Sequence, residues 1–383
     1  MTHGTRRPLG LVILGSTGSI GRQALEVVRA HRTKIRLVGL AAARNVTLLG
    51  QQIEEFGPSY YGAEGPTPLP RAQAQRCSLE ELAALPEADL VLVATVGRVG
   101  LAPTLAALRA GKRVALANKE VLVMAGEIVT REAKAHGGVL LPVDSEHSAI
   151  WQCLRGEGGE AGAGRVERLL LTASGGAFRD RPAGALAAVT PAEALRHPTW
   201  KMGPKVTVDS ATLMNKGFEV IEAHWLFGVP YERIQVLLHR ESIVHSLVEF
   251  VDGSVKAQMG TPDMRLPIQY ALSYPDRWTE TAVPRLDLAE LGNLHFDAVT
   301  PGRYPCLDLA VEVGRRGGTW PAVLSAADEV AVDAFLDGRI GFLDIPDVVG
   351  ATLAAHRGTD CPTLEEVLVA DDWAREDAKR RVR

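Results

Sequence analysis

The sequence predicts an α/β protein with an N-terminal Rossmann-like parallel sheet, a central α/β domain and a C-terminal helical domain. Three observations predict it. Over residues 1–150, short apolar runs at 9–14, 35–41, 89–95, 113–117 and 139–143 alternate with helical patterns, the signature of βαβ units. Residues 151–284 mix strand-like runs (168–172, 234–238, 246–250, 254–258) with one strong helix near 210–227. Beyond residue 306 apolar repeats of helical period recur between Gly and Pro breaks.

The first run, 9–14, leads into Gly15-Ser16-Thr17-Gly18-Ser19-Ile20-Gly21 and then a helical pattern. Glycines here let the chain turn tightly and approach a pyrophosphate, which the following helix N-terminus attracts. The spacing is GxxGxxG rather than GxGxxG, so a tight turn without ligand remains a competing reading at this point. The second run ends in Ala43-Arg44-Asn45, and no acidic residue occurs between Glu26 and Glu54. An NAD site places a carboxylate there for the ribose 2′-hydroxyl, whereas a guanidinium suits the 2′-phosphate of NADPH.

The run 113–117 is followed by Asn118-Lys119-Glu120, where an α/β sheet places its ligand crevice. The run 139–143 is followed by Asp144-Ser145-Glu146-His147. Read as an extended segment, Asp144 and Glu146 point the same way and offer two hard carboxylates to Mg2+ or Mn2+. Helix N-terminal acids with a cap are the alternative. A Gly-rich stretch at 155–164 reads as a surface loop.

Val206-Thr-Val-Asp209-Ser210 reads as a strand passing into a helix, on which Asn215, Lys216 and Glu219 share one face through i,i+3 and i,i+4 spacing. That face is either the solvated stripe of an amphipathic helix or a phosphate cradle. Only nine of the 42 basic residues are lysines, yet Lys119, Lys201, Lys205 and Lys216 all fall in these clusters. The three prolines of 284–305 read as a linker, and Thr363-Leu-Glu-Glu366 as the capping box of the last helix.

Composition narrows the classes. The 383 residues suit two to three domains, and 46% apolar with 23% charged residues is ordinary for a globular protein. A net charge of −4 provides no global field for nucleic acid or an anionic membrane. Cys77, Cys153, Cys306 and Cys361 form no CxxC or CxxH pair, which suggests a reducing cytosol. The basic-then-apolar start, 1–21, mimics a signal peptide but has too short an apolar run and no cleavage site, and nothing approaches the ~18 apolar residues of a membrane span.

Together the motifs resemble the 1-deoxy-D-xylulose 5-phosphate reductoisomerase family. The matching positions are Gly15 to Gly21, Asn118-Lys119-Glu120, Asp144-Ser145-Glu146-His147-Ser148, Ser174-Gly175-Gly176, His197-Pro198-Thr199-Trp200 and Met202-Gly203. Val208-Asp209-Ser210-Ala211-Thr212 through Asn215-Lys216-Gly217 and Glu219, Gln258 to Arg265, and Ala326-Ala-Asp-Glu329 extend the match over essentially the whole chain. The resemblance implies an NADPH-binding domain at 1–150, a catalytic and connective domain at 151–284 with an active-site lid near 174–204, a linker at 285–305 and a helical domain at 306–383.

It also implies roles. Asp144, Glu146 and Glu219 would bind Mn2+ or Mg2+, with Co2+ also accommodated. Ser174, Ser210, Asn215 and Lys216 would hold the substrate phosphate with His197 nearby and Trp200 in the lid, while Lys119, Ser145 and Glu146 would meet the substrate's oxygens. Lys119, Asp144, Glu146, His197 and Glu219 form the catalytic set. Thr17, Gly18, Ser19, Ile20, Ala43, Arg44, Asn45, Asn118, Glu120 and Gly203 would bind NADPH. The implied enzyme is a cytoplasmic, bacterial, homodimeric reductoisomerase of non-mevalonate isoprenoid precursor biosynthesis, with no nucleic acid or membrane partner. Ala43, Thr199 and His239-Arg240-Glu241-Ser242 depart from the family's usual Gly, Asn and His-Pro-Gln-Ser. Rival readings are another two-domain NADPH-dependent dehydrogenase, such as a semialdehyde or homoserine enzyme, and a non-catalytic NADPH-binding sensor. A semialdehyde enzyme would want a nucleophilic cysteine, and Cys153 lies in an apolar helix pattern.

Overall fold

The computed structural model describes residues 7–64, 74–157, 164–279 and 283–382. The first six residues of the leader-like start and positions 158–163 of the Gly-rich loop lie outside them. The chain forms two compact units: Met1–Val121 with Val129–Ser148 and Asp263–Pro284, and Leu122–Ile128 with Ala149–Pro262 and Arg285–Arg383.

The first unit is built on a seven-stranded sheet: β1 (Leu9–Leu14), β2 (Ile35–Ala42), β3 (Tyr60–Ala63), β4 (Gln75–Arg76), β5 (Leu90–Val93), β6 (Arg113–Leu116) and β7 (Val139–Pro142). Their order is β4-β3-β2-β1-β5-β6-β7, and every neighbouring pair is parallel. Central strands of such a sheet are covered on both faces, so β1 and β5 read as continuous apolar runs rather than alternating ones. The sequence reading misses β3 and β4 because Tyr60-Tyr61-Gly62-Ala63 and Gln75-Arg76 lack the aliphatic run that marks β5, β6 and β7. The chain steps outward from β1 in one direction and from β5 in the other, which puts the ligand crevice at the carboxyl ends where the order reverses. The glycine turn, Arg44, Asn118-Lys119-Glu120 and Asp144 all follow carboxyl ends of strands of this sheet.

Composition places residues 263–284 in the middle stretch, but they pack with the first unit. On the helix Arg265–Ser273, Arg265 Nη1 meets Glu26 Oε2 at 3.1 Å, and Gln269 Oε1 lies 3.2 Å from His31 Nε2. Arg113 Nη1 then donates to the Tyr274 carbonyl at 3.2 Å. These partners are 161 to 239 residues apart, beyond the reach of any local pattern.

The second unit carries a mixed sheet of β8 (Val166–Ala173), β9 (Ile234–Leu238), β10 (Val244–Phe250), β11 (Val255–Met259) and β12 (Asp297–Ala298), ordered β11-β10-β8-β9-β12. Strands β8 and β9 pair in parallel and the others antiparallel. One apolar core joins Leu169, Leu171 and Val248 of this sheet to Met214, Phe218 and the C-terminal helices. The helix Trp320–Leu336 is buried almost all round, so the predicted C-terminal helical region packs into this unit. The capping box forms as predicted: Thr363 Oγ1 accepts from Glu366 N at 3.3 Å, and Glu366 Oε2 accepts from Thr363 N at 2.7 Å.

Three local expectations are corrected. The run Val206-Thr-Val-Asp209 is not a strand; Pro204–Thr212 is a helix with proline in its first turn, and packing overrides the β-branched residues. A left-handed Leu213 (φ 57°) separates it from Met214–Phe227, so the single helix near 210–227 is two. Asp144 and Glu146 do not alternate along an extended segment, because Ser145–Leu154 is helical and Ser148 N already bonds the Asp144 carbonyl at 2.8 Å. The segment 285–305 holds a short helix, Leu288–Leu291, and β12. The segment 174–204 holds two short helical turns, Ala183–Ala188 and Pro191–Ala194.

Candidate active site

In the first unit, the turn after β1 has space only for glycine at positions 15 and 21. A Cβ on Gly15 (φ 92°) would lie 2.4 Å from the Ala94 carbonyl oxygen, and one on Gly21 would lie 2.2 Å from that of Gly15. Buried Ser16 anchors the turn by donating to Gln52 Oε1 at 2.7 Å. The helix Ser19–Ala30 starts at Gly18 with no side-chain cap, which leaves its first N–H groups to an anion. Thr17, Gly18, Ser19 and Ile20 line this rim and are at least partly exposed.

After β2, Ala43, Arg44 and Asn45 are exposed. Asn45 Oδ1 accepts from Leu48 N at 3.1 Å and caps the helix Val46–Phe56, so Arg44 is the cationic group of that turn. Asn118 is 1% exposed, and its amide is committed to backbone: Nδ2 donates to Gly97 O at 2.9 Å, while Oδ1 accepts from Val121 N at 3.2 Å. It shapes the turn in which Glu120 opens the next helix, Glu120–His136. Lys119 reaches Asp144, Nζ to Oδ2 at 2.7 Å, with both side chains mostly buried. Ser145 Oγ donates to Glu146 Oε2 at 2.5 Å. Two carboxylates, a hydroxyl and an ammonium thus gather at the carboxyl ends of β6 and β7.

In the second unit, Ser174 follows β8, and Gly175 and Gly176 (φ 81° and 67°) turn the chain sharply. Gly176 lies so close to the helix Pro204–Thr212 that a Cβ would meet the Ser210 carbonyl oxygen at 2.5 Å. That contact brings two hydroxyls to one imidazole. His197 Nε2 lies 2.9 Å from Ser174 Oγ and 3.1 Å from Ser210 Oγ. On the other side, His197 Nδ1 accepts from the backbone N–H of Thr199 at 3.1 Å and of Trp200 at 2.8 Å. A nitrogen facing two donors carries no proton, so Nε2 is the protonated one. Burial, and next the Arg179 guanidinium, lower His197 to about 4, so the ring is neutral at pH 7.

Asn215, Lys216 and Glu219 share one helix face as predicted. Asn215 Nδ2 donates to Glu219 Oε1 at 2.5 Å, and Lys216 Nζ pairs with Glu219 Oε2 and donates to the Thr172 carbonyl at 2.5 Å. Lys216 and Glu219 are buried, so this face is not a solvated stripe. Trp200 stands with its ring centroid 6.1 Å from that of His245, and Gly203 is the N-cap of Pro204–Thr212. Arg179 escaped the sequence reading, although its Nη1 donates to the Ser174 carbonyl at 2.9 Å. Its only signal is position, three residues past a Gly-Gly turn. Cys153 is buried, its thiol pushed up to about 11 by that burial, which suits a core residue and not a nucleophile.

Three profiles match the chain: 1-deoxy-D-xylulose 5-phosphate reductoisomerase over residues 11–126, its C-terminal domain over 140–227, and the DXP reductoisomerase C-terminal domain over 259–377. Among curated relatives, the 1-deoxy-D-xylulose 5-phosphate reductoisomerase of Geobacillus kaustophilus is 54% identical over 376 residues, 95% of this chain and 97% of the relative. That of Pelotomaculum thermopropionicum is 52% identical over 377 residues, 95% and 96% of the two chains. Among solved structures, the reductoisomerase of Zymomonas mobilis in complex with NADPH superposes with a TM-score of 0.90 at 40% identity, covering 98% of this chain and 99% of the other. A DOX-P reductoisomerase in complex with NADPH, fosmidomycin and magnesium gives 0.92 at 40% identity, covering 98% of each.

Proposed function

The chain belongs to the 1-deoxy-D-xylulose 5-phosphate reductoisomerase family, and from that membership we propose that Asp144, Glu146 and Glu219 hold its divalent cation, while Ser174, Ser210, Asn215 and Lys216 hold the substrate phosphate. The protein converts 1-deoxy-D-xylulose 5-phosphate to 2-C-methyl-D-erythritol 4-phosphate with NADPH, a step of non-mevalonate isoprenoid precursor biosynthesis. The observation that carries the residue assignment is the single imidazole N–H of His197 shared by Ser174 and Ser210, a neutral donor set suited to phosphate oxygens.

The donor chemistry fits a hard cation, because the three carboxylates offer only oxygen. Asp144 and Glu219 already stand against ammonium groups, those of Lys119 and Lys216, so each faces positive charge within its own unit. When bound, the cation supplies Lewis acidity to the ketone and its neighbouring hydroxyl, and NADPH supplies the hydride. The chain's own groups do the positioning. Lys119 holds Asp144 and offers its remaining N–H donors to substrate oxygens, and Ser145 orients Glu146. Lys216, paired with Glu219 in this structure, would meet a phosphate oxygen. Thr17, Gly18, Ser19 and Ile20 cradle the pyrophosphate, and Arg44 with Ala43 and Asn45 meets the 2′-phosphate. Glu120 and Gly203 complete the cofactor contacts, and Asn118 shapes the turn beside them. The segment 174–204 serves as a lid, with Trp200 covering the substrate and excluding water.

No helix among the described residues is long and apolar enough to cross a membrane. We further propose a cytoplasmic homodimer, which light scattering of the purified protein tests. The decisive assay is NADPH oxidation with 1-deoxy-D-xylulose 5-phosphate, with and without Mg2+ or Mn2+. Metal-independent oxidation, or a product other than the branched tetrol phosphate, would refute the site assignment.

A further inference from the structure

One residue before Ser210 the chain enters a buried ion cluster that the reaction does not use directly. Lys205 Nζ meets Asp209 Oδ2 at 2.6 Å, one turn along the helix Pro204–Thr212, and Asp328 Oδ2 at 2.8 Å on the helix Trp320–Leu336. Asp209 is 2% exposed, Asp328 fully buried and Lys205 22% exposed. The Lys205 ammonium also lies 4.8 Å from the centroid of the Phe218 ring, so its position is held on a third side. Two carboxylates thus face one ammonium in a buried setting. Burial raises Asp328, and the Lys205 ammonium opposes that effect.

Placement gives the cluster its meaning. Lys205 is the second residue of its helix, directly after the 174–204 segment, and a cation there opposes the helix dipole unless carboxylates answer it. Asp209 immediately precedes Ser210, whose hydroxyl meets His197. The same short helix is therefore held at two points, at Lys205 by the root of the lid and at Asp209 beside Ser210. A nine-residue helix has too few bonds of its own to hold such a position.

We propose that Lys205, Asp209 and Asp328 are positioning residues that clamp the helix Pro204–Thr212 to the C-terminal helices and so fix Ser210, and the root of the lid, for the substrate phosphate. The inference rests on Ser210 belonging to the phosphate cradle. None of the three touches the reacting atoms; they act through Ser210.

The test measures KM for 1-deoxy-D-xylulose 5-phosphate, kcat, Kd for NADPH and Tm in Lys205→Met, in Lys205→Met combined with Asp328→Asn, and in Ser210→Ala. Lys205→Met raises KM about tenfold and changes kcat by less than about threefold, leaving NADPH affinity intact. The double variant removes one charge of each sign, so Tm recovers while KM stays raised. That split marks positioning, and the double variant decides the matter if Lys205→Met alone does not fold. A normal KM in either folded Lys205 variant, or recovery of KM together with Tm, overturns the clamp. So does a joint loss of kcat, substrate affinity and NADPH affinity. If Ser210→Ala leaves KM unchanged, the cradle reading fails and takes the clamp with it. If Ser210→Ala raises KM while the Lys205 variants do not, the clamp alone is wrong.

Discussion

The backbone N–H of Trp200 donates to Nδ1 of His197 at 2.8 Å, and this bond couples the tautomer of the imidazole to the backbone path of the segment 174–204. Protonating Nδ1 would turn it from acceptor to donor against the N–H groups of Thr199 and Trp200. His197→Asn keeps an acceptor near Nδ1 but loses the donor aimed at Ser174 and Ser210. It should raise KM for the phosphorylated substrate about tenfold or more, since a hydrogen bond to a charged group is worth about 1.5–3 kcal/mol. The pH dependence has a definite sign. His197 is lowered from 6.5 to about 4, so between those values the unfolded chain binds more protons than the folded one. Stability from this group is complete above pH 6.5 and is lost as pH falls toward 4. The slope of Tm against pH in that window should be shallower in His197→Asn, and an unchanged slope would remove His197 as its source.

Cofactor choice rests on Arg44. It follows β2 as an exposed cation, and its neighbour Asn45 is occupied in capping the next helix. Arg44→Asp should weaken NADPH binding far more than NADH binding, because repulsion replaces attraction at the 2′-phosphate. Equal losses in fluorescence titrations with the two cofactors would contradict the assignment.

The metal assignment predicts that Asp144→Asn, Glu146→Gln and Glu219→Gln each fold, bind NADPH and lose turnover by about 100-fold or more, as expected when several kcal/mol of charge stabilisation is removed. Glu219→Gln also takes the carboxylate from buried Lys216, so its Tm should fall more than that of Glu146→Gln. Near-normal turnover at saturating Mn2+ in any one variant excludes that residue as a ligand.

Lid closure is tested at Trp200. Trp200→Ala should cost substrate affinity or turnover and leave NADPH binding nearly unchanged. Limited proteolysis between residues 178 and 200 should slow when substrate, or a phosphonate analogue, is added with metal. Unchanged cleavage together with full activity of the variant would leave the segment without a catalytic role.

The legible parts of the site are those encoded by short-range rules. Gly15 and Gly21 announce a turn that no side chain fits, and the geometry bears this out to the atom. The i,i+3 and i,i+4 spacing of Asn215, Lys216 and Glu219 survives intact, since helical neighbours are fixed by the helix itself. The reading failed where two local signals competed. Alternating Val206 and Val208 suggest a strand, yet Gly203-Pro204 begins a helix whose burial outweighs β propensity. At Asp144-Ser145-Glu146 strand alternation was carried one residue too far, past the point where the helix begins.

The amino-acid sequence by itself determined the parallel-sheet order of chemistry along the chain: the glycine turn, the basic end of β2, the carboxylates after β7 and the Asn215-Lys216-Glu219 face. Each depends on residues within about one turn or one strand of each other, where backbone geometry leaves few choices. Tertiary structure alone decided the neutral Nε2–H tautomer of His197, the return of residues 263–284 to the first unit, and the meeting of Lys205 with Asp328 across 123 positions. Those outcomes depend on burial and on which partners packing brings within hydrogen-bond range, and no local period or propensity carries that information.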